Sequence, residues 1–213
     1  MSVLDTIFPT EEVLAAVPEL RVRQLGIRDI KDIVRFKSKA MFEMGLSTWH
    51  AALMSGSFNL DPRMLSKHVD CGDPHLLKHV SRALNRKVIF DLNYTFGEIP
   101  SQALREPAVQ TTIAHLFPNR IHIADAKLLD PRKPLPGTED DDDRSHESLH
   151  LFSIFVANCR AAAAEIAAEK ITFTAAYAEL VDPFRKHGFE VEESDFGRMA
   201  LEFGMGIPME MRL

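Results

Sequence analysis

The sequence predicts an α+β domain, predominantly helical, with a small sheet of short strands. Three observations point there. Segments with helix caps and a 3.6-residue apolar period outnumber those that alternate like strands. The strand-like runs are short. Their order is helices, strand, helix, strand, then helices, which lacks the β-α-β alternation of a doubly wound sheet.

Thr10 is placed to cap a short helix that Pro18 stops. Leu20-Arg21-Val22-Arg23 alternates like a strand. Asp29 caps an amphipathic helix on which Ile30, Ile33, Val34 and Met41 recur, with Gly45 as its end; a second short helix carries Trp49 and Leu53 to Gly56. Asp61-Pro62 and Asp73-Pro74 read as helix starts, since proline at the first helical position has no N–H to lose. Val88 to Leu92 reads as a buried strand, Pro107 to Phe117 as helix and Arg120 to Ala124 as a second short strand. Residues 130–143 hold Pro131, Pro134, Pro136, Gly137 and the aspartates Asp140 to Asp143, the composition of a mobile acidic loop. From Arg144 there is no Gly or Pro before Pro183. With the alanine-rich stretch from Ala161 to Ala168, this predicts one continuous helix from Arg144 to about Lys170. Thr172 or Thr174 marks a new cap, and Gly188 ends the helix that follows. Phe189-Glu190-Val191 reads as strand, Ser194 as the cap of a last helix to Phe203, and residues 204–208 as an irregular tail.

The 213 residues suit a single compact domain over 1–213, long enough to bury a core without disulfide or metal. At 46% hydrophobic and 26% charged residues, global disorder is not expected. The net charge of −6 is polarised. Residues 1–87 carry 13 Lys/Arg against 10 Asp/Glu, and residues 88–213 carry 12 against 21. An acidic chain of this kind is not expected to bind nucleic acid, because phosphate neutralisation needs concentrated positive charge. The longest membrane candidate, Leu151 to Ala168, contains Asn158, Arg160 and Glu165, which are costly in hydrocarbon. Met1-Ser2-Val3-Leu4-Asp5 lacks the basic and apolar regions of a signal peptide. The two cysteines, Cys71 and Cys159, lie far apart; the expectation is free thiols and a cytoplasmic location.

Three clusters carry candidate chemistry. His146-Glu147-Ser148-Leu149-His150 has the H-E-x-x-H pattern and resembles the zinc site of metalloproteases. On a helix, histidines at i and i+4 share a face and both reach one zinc, while the glutamate serves as base toward the bound water. Glu169 has the sequence spacing of a third ligand in one class of these enzymes. On a continuous helix, however, it would stand about 28 Å from His150. The second cluster is His68, His75 and His79 with Cys71 and Asp73 nearby. His75 and His79 are again i and i+4, and a zinc site there needs Cys71 or His68 to fold back. Arg82 and Arg86 extend the same stripe, which suits a phosphate, a carboxylate or a partner. The third is Val88-Ile89-Phe90-Asp91-Leu92-Asn93-Tyr94-Thr95. It resembles the first motif of haloacid-dehalogenase-type phosphatases, which implies Asp91 as nucleophile. Asn93 stands where that motif has an acid, and Tyr94 where it has glycine. No dinucleotide-binding, Walker A or serine-hydrolase motif is present.

Two functions follow as expectations. The first is a non-catalytic binding or accessory protein that acts with a protein partner, for example by presenting a peptide or substrate to an enzyme. Charge polarity supports it, as do the methionines Met199, Met205, Met209 and Met211, adaptable contact residues. The alternative is a metal-dependent hydrolase or oxidase with zinc or iron at His146, Glu147 and His150.

Overall fold

The structure is a computed structural model that describes residues 2–56, 63, 65–100, 107–134 and 146–213. Its centre is an eight-stranded mixed sheet. The strands are β1 (Arg21–Gly26), β2 (Ile89–Glu98), β3 (Val109–Leu116), β4 (Arg120–Pro134), β5 (His146–Ser148), β6 (Lys170–Tyr177), β7 (Glu190–Val191) and β8 (Met205–Arg212). Their order is β1-β2-β3-β4-β6-β8-β7, with β5 beside the far end of β4. Among the described residues, only β4 and β6 pair in parallel, and every other pairing is antiparallel. The helices are α1 (Thr10–Ala16), α2 (Ile30–Phe36), α3 (Ser38–Met54), α4 (Ser66–Asp70), α5 (Leu76–Ala83), α6 (Phe152–Glu165), α7 (Val181–Arg185) and α8 (Asp195–Phe203). The expected fold class, predominantly helical with a small sheet of short strands, is therefore corrected. The sheet runs through the whole domain, and β4 alone spans fifteen residues.

The reason is burial on both faces. β3 contributes Val109 and Ile113 to one core, with α6 and the N-terminal segment, and Ala114 and Leu116 to the other, with α3 and α5. A strand covered on both sides has no apolar–polar alternation to read. The segment from Pro107 to Phe117 is thus strand and not helix. The expected tail is strand as well. β8 sends Ile207, Met209 and Met211 into the core between β6 and β7.

Residues 146–148 pair with β4, so α6 starts at Phe152 and not at Arg144. Phe155, Cys159 and Ala162, with Val156 and Ala163, form its buried stripe. Ala167, at φ 49°, ends that turn and feeds β6. Of the expected loop at 130–143, Asp130–Pro134 continues β4, and the remainder lies outside the described residues. The helix expected from Asp29 to Gly45 breaks at Lys37, and α3 runs through Gly45 to Met54. Glycine is required there by packing: a Cβ would stand 2.7 Å from Leu76 Cβ of α5.

Two irregularities shape the site. Thr112 faces Asp125 and Ile113 faces Ile123, so Ala124 is an extra residue, a β-bulge in β4. β4 and β6 pair only from Arg120 to Ile123 against Lys170 to Phe173, and part beyond the bulge. Among the described residues, no helix is long and apolar enough to cross a membrane.

Candidate functional site

A cavity of about 700 Å³ opens over the β1-β2-β3 face of the sheet, on the side of α2. That is ample for a small ligand, for which pockets of about 300–1,000 Å³ are usual. Strand alternation builds its floor. Tyr94 and Phe96 of β2 point to the same face, and register places Phe96 opposite Gln110, and Tyr94 opposite Thr112. Thr112 in turn faces Asp125 across β3–β4, so Tyr94, Thr112 and Asp125 form one row across three strands. α2 supplies Asp32 from its first turn, Phe36 from its last residue and Lys37 from its C-cap as a wall, and β1 supplies Arg23 and Leu25.

The polar chemistry of this floor is incomplete. The Tyr94 hydroxyl donates to Gln110 Oε1 at 3.2 Å. Gln110 is fully buried, and its Nε2 has no hydrogen-bond partner; the Thr112 hydroxyl has none either. A buried polar group left unpaired costs about 1–3 kcal/mol, so such groups call for an explanation. Charges surround the floor. Lys37, at the break between α2 and α3, sits 2.6 Å from Asp125 Oδ2 and 5.7 Å from the centroid of the Tyr94 ring. The Arg23 guanidinium lies over Phe96. Glu43 lines an adjoining recess with Lys37 and Asp125; burial pushes its carboxyl up, against the opposing pull of Lys39. The arrangement can hold a compact polar molecule with an acceptor oxygen on Gln110 Nε2.

A second recess of about 300 Å³ lies between α3 and the β6-β8-β7 side of the sheet. Several of its charges pair with one another. Lys170 and Arg212 bind Glu210 at 2.6 and 3.0 Å, and His50 binds Glu192 at 3.0 Å. The hydrogen bonds from His50 and then Ser194 hold Glu192 down at about 2, against the effect of burial. Arg120 is buried beside them with Nε and Nη2 unpartnered, and burial lowers its pKa to about 10. Next to it His122 is wholly buried, with Nδ1 2.9 Å from Thr172 Oγ1.

The sequence candidates fall elsewhere. His146 and Glu147 are on a strand, so the helical face that would align His146 with His150 is not formed. Glu147 is exposed and paired with Lys133 at 3.4 Å, and His150 is exposed at φ 56°. Glu169 immediately precedes β6, beyond the far end of α6 from His150, and that helix is about 21 Å long. Asp91 lies in β2, which is antiparallel to both neighbours, and accepts a hydrogen bond from Ser2 Oγ. His75 is exposed at the start of α5, whereas His79 turns toward His68 and Asp73. Arg82 and Arg86 are exposed, and the Arg86 guanidinium stacks 4.4 Å over Phe117. Of the four methionines, Met209 and Met211 fill the core while Met199 and Met205 are exposed. The expectation of an accessory chain rested on charge polarity, on methionines and on the want of a catalytic set; the structure adds a candidate site of the chain's own, the cavity over Tyr94 and Gln110. Sequence reasoning passed over Gln110 and Lys37; the one local signal was the β-branched density of Val109, Thr111, Thr112 and Ile113, which favours a strand.

No protein-family model matches the chain, and no curated protein matches it. Among solved structures it is similar to an acetyltransferase of the GNAT family from Staphylococcus aureus Mu50. The two are 9% identical with a TM-score of 0.32, over 91% of this chain and 99% of that one. A likeness at this level carries nothing about the site, and no family is assigned.

Proposed function

We propose that this chain is a small-molecule-binding α/β protein whose ligand occupies the cavity over Tyr94 and Gln110. One observation carries the reading: a fully buried amide, Gln110 Nε2, stands unpartnered at the floor of a cavity of about 700 Å³. A bound carbonyl or carboxylate oxygen completes it. Arg23 and Lys37, together with Asp32 and Glu98 in the same lining, favour a small carboxylate- or amide-bearing metabolite that also carries a cationic group. Two free cysteines, one exposed and one buried, fit a reducing, cytoplasmic setting. Screening amino acids, short carboxylates and amides by thermal shift tests the reading. Binding that falls at least tenfold in Gln110→Met supports it; a panel with no binder, or binders indifferent to that change, contradicts it.

A second reading, docking to a protein partner, has one observation in its favour. α8 exposes Phe196, Met199 and Phe203 at i, i+3 and i+7, beside the exposed cross-strand pair Tyr177 and Met205. A contiguous apolar surface of this kind marks an interaction site more often than chance. Replacing Phe196 and Phe203 by serine then abolishes partner capture with the melting temperature unchanged.

A further inference from the structure

The turn between α4 and α5 collects three metal-binding side chains on one spot, away from the cavity. Gly72, at φ +63°, reverses the chain in a conformation that glycine adopts freely. Asp73 follows, and its Oδ1 accepts the His75 backbone N–H at 2.8 Å, tying down the start of α5. This leaves Oδ2 facing two imidazoles. His68 Nδ1 lies 2.8 Å away, and His79 Nε2, one turn into α5, lies 3.2 Å away. The rings stack with centroids 3.6 Å apart, and the three ligand atoms all lie within 4.8 Å of one another.

We propose that His68 Nδ1, Asp73 Oδ2 and His79 Nε2 bind a divalent transition metal of the zinc class, with a fourth position open to water. Two imidazole nitrogens and one carboxylate oxygen are a donor set zinc accepts, and one that magnesium and calcium, which take oxygen ligands, do not. Binding needs little rearrangement. A neutral imidazole moves its proton to the other ring nitrogen and turns a lone pair to the ion, while Asp73 keeps Oδ1 on the helix start. The ion would fasten α4 to α5, and through Leu76 at Gly45 to α3. The site is independent of the cavity and of its ligand.

The test uses the tag-free full chain, stripped with chelator and titrated with zinc chloride against a competing chelator. The expected result is one zinc per chain, a rise of roughly 5 °C in melting temperature at a hundredfold excess over Kd, and no rise with magnesium. His68→Asn and His79→Asn should each lose at least tenfold in affinity, while His75→Asn and Cys71→Ser keep it. If a variant fails to fold, the His68 and His79 ring resonances of the unaltered chain should still shift on adding zinc. Absence of zinc binding at micromolar concentration, undiminished binding in the His68→Asn/His79→Asn double variant, or unmoved ring resonances would overturn the site.

Discussion

Lys37 and Asp125, 88 residues apart in sequence, meet at 2.6 Å where the α2–α3 break faces the bulge of β4. Both side chains are mostly buried, so neither keeps full hydration when its partner is removed. Lys37→Met is expected to cost roughly 2–3 kcal/mol, because it strands the carboxylate, whereas Lys37→Met with Asp125→Leu should recover most of that loss. Chemical denaturation of the two single variants and the double checks it. Additive losses would show that the pair does not join α2–α3 to β4.

Gln110→Met tests the orphaned amide from the stability side. The change gives up the hydrogen bond from Tyr94, worth about 0.5–1.5 kcal/mol, and removes a buried unpaired donor that costs about 1–3 kcal/mol. The unliganded variant should therefore be within about 1 kcal/mol of the parent or more stable. A loss above about 3 kcal/mol would assign Gln110 to structure alone.

His122 sets a pH dependence whose sign follows from its burial. Burial, aided by Arg120, lowers its pKa from 6.5 to about 3. The unfolded chain therefore takes up a proton first as pH falls, and stability drops from about pH 6.5 down to about 3. His122→Asn should flatten the stability curve in that window. An unchanged slope would show that the ring is not held neutral in the folded chain.

Glu192 acts lower on the scale. Its pKa is depressed from 4.5 to about 2, first by the hydrogen bond from His50, so its contribution is full above about pH 4.5 and is lost as pH falls toward 2. His50→Ala should move acid unfolding to higher pH. The same midpoint in both proteins would remove His50 as the cause.

Gly45→Ala gains helix propensity of up to about 1 kcal/mol but drives a methyl group against Leu76. The expected net is a loss of about 1–3 kcal/mol, the cost of overpacking, read as a lower urea midpoint. A gain in stability would show that α5 can yield without cost.

Local chemistry was legible where it was self-contained. Ser194 does cap α8, with its hydroxyl accepting the Gly197 N–H, and Gly204 ends that helix in the left-handed region. β7 also stands where Phe189-Glu190-Val191 suggested it. The sheet was not legible, because its central strands bury polar residues among apolar ones. In β3, Gln110, Thr111 and Thr112 are as buried as Val109 and Ile113, which erases the two-residue period. The H-E-x-x-H spacing aligns its histidines only on a helix, and His146–Ser148 pair with β4 as a strand. Of the candidate site, Tyr94 was noticed only for what it replaced in a motif. Lys37 and Asp125 come together through register and a bulge, which no single stretch of sequence encodes. The histidine cluster was closer to the surface of the sequence, since His68 needed only the turn at Gly72 to fold back onto His79.

The measurement that bears most directly on the cavity is the side-chain amide signal of Gln110, followed by NMR while small carboxylates and amides are titrated. If the cavity is a ligand site, a binding compound moves the Gln110 amide protons downfield as Nε2 gains an acceptor, and Gln110→Met binds it at least tenfold more weakly. If compounds bind but leave that amide unmoved, or bind Gln110→Met equally well, the cavity over Tyr94 and Gln110 is not the site.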